Sequence, residues 1–147
     1  MNAIRSLASV VHPILANMSH SAIMSDRSRR GHEAYQRGRA AEHAAQLALE
    51  GDGWSILACR LHTPAGEIDI VAEKDGLLVI VEVKARPRLA DAAYSLSLRQ
   101  QARLISAADI ILANNPQWGT NGVRFDLLIV DATGVVRRIA DAFRGNG

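Results

Sequence analysis

The chain has 147 residues, of which 48% are apolar and 22% charged, and its formal net charge is only +2. That length suits one compact domain, and the balance excludes a disordered or fibrous chain. No stretch approaches the roughly 20 uncharged apolar residues of a membrane helix, and a lone Cys59 excludes an intramolecular disulfide or a cysteine-built metal site, which fits a reducing cytoplasm.

Residues 1–30 mix Ser, Ala, Asn, His and Met without a period and end in the polar run Ser25-Asp26-Arg27-Ser28-Arg29-Arg30. They read as a disordered N-terminal extension to a single domain over 31–147. Leu7 to Leu15 is broken by Ser9, His12 and Pro13 and makes a poor signal peptide. Translation beginning at Met18 or Met24 is a further expectation. The basic residues are 15 Arg and 2 Lys, a skew that reads as codon bias and leaves Lys84 conspicuous.

From about Gly31 to Glu50 the chain is rich in Ala, Glu, Gln, Arg and Leu and stops at Gly51-Asp52-Gly53, which predicts a helix. Gly38, Ala41, Ala45 and Ala48 form a smooth stripe that would lie close on a sheet, with Glu42 at its edge. Trp54 to Leu61, Glu67 to Glu73 and Leu77 to Ala85 are strand-like, the last two joined by the hairpin signal Asp75-Gly76. Ser97 and Gln100 form a capping box for a second helix with Leu104, Ile105, Ala108, Ile111 and Leu112 on its apolar face. Val123 to Val130 and Val135 to Ala140 are the last strands. The order is αβββαββ, an α/β fold.

The hairpin fixes a register. With Asp75 and Gly76 as the loop, Lys74 faces Leu77 and each later pair steps outward by one residue. Ile68 then faces Val83, Ile70 faces Val81 and Ala72 faces Val79 on one apolar side, while Glu67 faces Lys84 and Asp69 faces Glu82 on the other. Facing Asp69 and Glu82 would set like charges about 5 Å apart, which is destabilising unless compensated. Lys84 supplies part of the compensation, and two converging carboxylates suit a hard divalent ion such as Mg²⁺. The competing reading is a plain solvated face worth under about 1 kcal/mol. Both strands are apolar on either side near the turn, which marks strands inside a layered fold, yet on the residues alone the two readings stay open.

Gly66-Glu67-Ile68-Asp69, thirteen positions before Glu82-Val83-Lys84 when counted from Asp69, resembles the PD-(D/E)XK nuclease core. Together with Gly38-Arg39-Ala40-Ala41-Glu42, Gly53-Trp54, Ala85-Arg86, Arg124-Phe125-Asp126 and Ala142-Phe143, the chain is similar to the YraN family of small bacterial proteins from about Gly38 to Phe143. The resemblance implies a restriction-endonuclease-like core, a mixed central sheet flanked by helices, related to Holliday-junction resolvases. It implies a cytoplasmic DNA phosphodiesterase acting on branched or damaged DNA. Asp69 and Glu82 would hold Mg²⁺, or Mn²⁺ in its place, with the Val83 carbonyl, while Lys84 orients the attacking water. Glu42 would be an additional metal or water ligand, against the reading of a solvent-facing helix glutamate, and Glu67 would support Lys84.

The family often has Lys where this chain has Gln100, and Arg99 and Arg103 could replace it as phosphate contacts or be ordinary helix surface. Arg86 and Arg88 could reach a DNA backbone or lie in a solvated loop. Arg124 and Asp126, two apart on a strand, read as a structural ion pair. By analogy with resolvases a homodimer is expected. The alternative function is a catalytically weak or inactive nuclease-fold protein that serves as a DNA-binding or adaptor module.

Overall fold

The computed structural model describes residues 25–89 and 96–145. The elements run α1 (Asp26–Gly51), β1 (Ser55–Thr63), β2 (Gly66–Lys74), β3 (Leu77–Ala85), α2 (Leu98–Asn114), β4 (Val123–Val130) and β5 (Val136–Phe143). The predicted order is therefore the observed one. Most of the expected extension, 1–24, lies outside the described residues, but its polar end does not. The run from Asp26 is the start of α1, because the Ser25 hydroxyl accepts the Ser28 N–H and Arg30 pairs with Asp26 one turn earlier. Those bonds give a polar segment local reasons to be helical. Among the described residues no helix is long and apolar enough to cross a membrane.

Residues 36–89 and 96–145 form the α/β body. Its five strands lie in sequence order, antiparallel except for β3 beside β4, which are parallel because α2 carries the chain back between them. Two cores result. On one face Ala41, Ala45 and Leu49 of α1 pack on Ile70, Ala72, Val79, Val81, Leu128 and Val130. On the other, Leu104, Ala107, Ala108 and Ile111 of α2 pack on Val71, Leu78, Ile80, Leu127 and Ile129. The predicted α1 stripe is right at Ala41 and Ala45 but continues to Leu49 rather than Ala48. Each large aliphatic side chain so buried contributes about 1.5–3 kcal/mol.

The predicted turns hold. Asp75 and Gly76 both have positive φ, as a two-residue hairpin loop of this kind needs, and Lys74 faces Leu77. The loop before β4 docks on that turn, with Asn121 donating to the carbonyls of Asp75 and Gly76. A Cβ on Gly76 would lie 2.6 Å from Asn121 Nδ2. At the head of α2 the capping box is complete, with Gln100 N–H on Ser97 Oγ and Ser97 N–H on Gln100 Oε1.

Candidate active site

The predicted register of β2 and β3 holds from the turn to Ile70 facing Val81, and there the ladder ends. Asp69 and Glu82, Ile68 and Val83, and Glu67 and Lys84 are not paired. The cause is a side chain in place of a backbone bond: Asp69 Oδ2 accepts the Val83 N–H at 2.8 Å. Beyond this point β3 stays on β4 as far as Ala85 facing Val130, and β2 stays on β1 as far as Gly66 facing Thr63. The sheet forks between its second and third strands. Because the N–H and C=O of a strand residue point to the same neighbour, the Val83 carbonyl also opens into this fork.

The alternation of side chains breaks at the same level. Ile68 and Val71 both pack in the α2 core while Ile70 packs in the α1 core, and on β1 both Ala58 and Leu61 lean on the α2 core. In an unbroken strand Ile68 would share a face with Ile70, so the expected apolar face through Ile68 is corrected. Between the two sets lie Asp69 and, on β1, Arg60, whose φ of +50 is far from extended backbone. The β1–β2 pairing skips these two residues although its register sets them opposite each other.

Glu82 is 6% exposed and sits one residue past Val81, turned toward α2. Lys84 Nζ lies 3.2 Å from Glu82 Oε1 and Arg103 Nη2 lies 3.6 Å from Oε2. Arg103 also donates to the Glu67 carbonyl, whose partner across the fork is missing. Its side chain runs over Gly66, where a Cβ would stand 2.9 Å from Arg103 Cδ and where φ is +132. Among buried side-chain oxygens in the described residues, Glu82 Oε2 is the one with no hydrogen-bond partner. Asp69 is shielded as well: burial, then the nearby charges of Glu82 and Glu42, push its carboxyl up to about 7, against the opposing pull of the Val83 N–H and Lys84.

Glu42 does face inward from α1, as expected, but into an ion pair with Arg60 Nε at 2.7 Å. Glu42, Arg60 and Asp69 line one cleft of about 130 Å³ together with Arg39. Glu67 does not support Lys84; the fork parts them, and Glu67 pairs with His62 at 3.4 Å on the surface. Arg103 is drawn into the site by Glu82. Arg88 and Arg99 are exposed, while Arg86 is half-buried and bonds the Ala85 carbonyl.

The donors are all oxygens, they converge from β2 and β3, and one of them is an orphaned buried lone pair. This set fits a hard divalent cation such as Mg²⁺. Among the described residues no three acidic, histidine or cysteine side chains already stand close enough to cage an ion. Lys84 and Arg103 hold Glu82, and Arg60 holds Glu42.

Two residues of this site escaped the sequence reading, and each had a signal. Arg39 stands one helical turn before Glu42 and so shares its face. Arg60 falls opposite Asp69 if Pro64 and Ala65 are taken as the loop between β1 and β2, by the reasoning used for the next hairpin.

Comparison with known proteins agrees with the motif pattern. The profile of a group described as "Uncharacterised protein family UPF0102" matches residues 41–130. A UPF0102 protein of Granulibacter bethesdensis is 60% identical over 115 residues, 78% of this chain and 73% of its own. One from Azorhizobium caulinodans is 45% identical over 119 residues, 81% of this chain and 91% of its own. One from Rhodopseudomonas palustris strain BisB5 is 47% identical over 110 residues, 75% and 84% of the two chains. The profile match spans the fork, and the chain belongs to the UPF0102, or YraN, family.

Proposed function

We propose that this protein is a Mg²⁺-dependent nuclease that hydrolyses DNA phosphodiester bonds, at branched or damaged DNA. The observation that carries the reading is the fork itself, where Glu82 keeps a buried oxygen without a hydrogen-bond partner beside an Asp69 whose carboxyl is pushed up to about 7. Strained and unbalanced groups of this kind mark functional sites. Asp69, Glu82 and the Val83 carbonyl would hold the cation. Bound there, it would activate water and neutralise charge on the phosphate.

The chain's own residues supply the rest. Lys84, three-quarters shielded beside Glu82, presents an ammonium that orients the attacking water and stabilises charge developing on the phosphate oxygens. Arg103 fixes the orientation of Glu82 from α2 and ties the open end of β2 to that helix. Arg86, Arg88 and Arg99 are the candidate backbone contacts for DNA on either side. The test is titration calorimetry with Mn²⁺ on the wild type and a folded Asp69→Asn, Glu82→Gln double variant, followed by cleavage of branched and linear duplexes. Heat of binding in the first and none in the second supports the site; no binding in the wild type, with DNA present or absent, overturns it.

One observation favours a second reading. Glu82 and Glu42 both have cationic partners, Glu82 with Lys84 and Arg103 and Glu42 with Arg60. A site so neutralised stands without a cation, as suits a DNA-binding or adaptor protein that keeps the nuclease fold. DNA affinity that falls steeply with salt, without divalent-ion-dependent turnover, would select this reading.

A further inference from the structure

Arg60 is the one residue of the cleft whose backbone is strained. Among the described residues three non-glycines have positive φ, and the other two, Asp75 and Asp141, are aspartates, which tolerate the left-handed region well. A long arginine in that conformation, in mid-strand, persists only when its surroundings over-determine it. Glu42 is one of the groups that hold it. The carboxylate accepts Nε at 2.7 Å through one oxygen and Nη2 at 3.4 Å through the other. Both side chains are largely shielded, at 29% and 23% exposed. The guanidinium thus engages both oxygens of the acid that shares a cleft with Asp69.

We propose that the Glu42–Arg60 pair is a latch on this site: a divalent cation and Arg60 compete for the Glu42 carboxylate, and the guanidinium so displaced takes a non-bridging oxygen of the substrate phosphodiester. This rests on the nuclease reading above and deepens it. Arginine cannot shed its proton, so a guanidinium displaced from Glu42 keeps its charge, and its planar fork matches a phosphate as well as a carboxylate. Metal and nucleic acid would then bind cooperatively, each removing the partner that the other has to replace.

A double-mutant cycle tests the latch. Mn²⁺ affinity is measured by calorimetry for the wild type, Arg60→Asn, Glu42→Gln and the double variant, all as full chains. Asparagine accepts the left-handed backbone, and Arg60→Gly, free of that strain, is the second variant should the first fold poorly. Expected is about fivefold tighter Mn²⁺ binding in Arg60→Asn, the worth of one modest ion pair. In the Glu42→Gln background the same change should be near unity, and Arg60→Asn should weaken binding of a short duplex in the presence of the ion. Unchanged or weaker Mn²⁺ binding in a folded Arg60 variant overturns the latch, as does an equal tightening in the Glu42→Gln background. A wild type that binds no Mn²⁺ overturns the nuclease reading and the latch together, whereas a wild type that binds it with a flat cycle removes the latch alone.

Discussion

Two aspartates in this sheet, one buried and one half-buried, have opposite fates. Asp126, on β4, is 1% exposed and fully partnered. Arg124 grips both its oxygens at 2.8 and 2.9 Å, Arg138 Nε donates at 2.8 Å, and the Asp141 N–H, from a left-handed residue in β5, donates at 3.0 Å. Both guanidiniums lie over the Trp54 ring, which adds cation–π attraction. Burial alone would raise the Asp126 carboxyl, but these donors hold it below the usual range. Asp69 also stands across from a left-handed residue, Arg60, yet that arginine is bound to Glu42, and Asp69 has one backbone N–H and two acidic neighbours. The difference teaches that burial does not decide whether a carboxylate is structural. The supply of donors does.

The largest way to break the comparison is to remove the satisfied acid. Asp126→Ala leaves two arginines without their shared anion and the Asp141 N–H unbonded, and should destabilise the fold by about 3–5 kcal/mol, read by urea denaturation. The unsatisfied acid should behave in the opposite sense. With its folded pKa raised from 3.8 to about 7, Asp69 contributes stability that is full below about pH 4 and is lost as pH rises to about 7. Metal-free protein should therefore lose roughly 2–4 kcal/mol across that window, and Asp69→Asn should abolish the slope in denaturation measured at several pH values. Asp126, with its pKa lowered, contributes stability at neutral pH that is lost only as pH falls below the ordinary carboxylate range.

Smaller changes sharpen the boundary between site and surface. Gly66→Ala strains a φ of +132 and pushes against Arg103, so a loss of about 1–3 kcal/mol is expected, together with altered divalent-ion affinity as Glu82 loses that support. Glu67→Gln removes only a pair with an 83%-exposed His62. It should change stability by under about 0.5 kcal/mol and leave divalent-ion binding as it was, whereas a large effect would return Glu67 to the site.

Much of this protein was written locally. The element order, the Asp75-Gly76 turn, the Ser97 capping box and the hairpin register near the turn all follow from periods of two and 3.6 and from turn chemistry acting over a few residues. The same local rules brought Asp69, Glu82 and Lys84 to one end of the hairpin. Where they stopped working is informative. Propagating the register past Ile70 assumed that backbone pairing continues, but the Asp69 side chain takes the Val83 N–H and β1 holds β2 away from β3. That outcome depends on residues far apart in the chain.

Tertiary structure likewise decided the partners of the charged residues. Glu67 went to His62 rather than Lys84, Arg103 went to Glu82, Glu42 went to Arg60, and Arg138 joined the pair of Arg124 and Asp126. The sequence by itself determined which segments are helix and strand and that Asp69, Glu82 and Lys84 fall at one end of a hairpin, because hydrophobic period and turn type are short-range properties. Only the packed sheet decided which of those acids are balanced, because charge compensation depends on distance and burial across strands and helices that the chain brings together last.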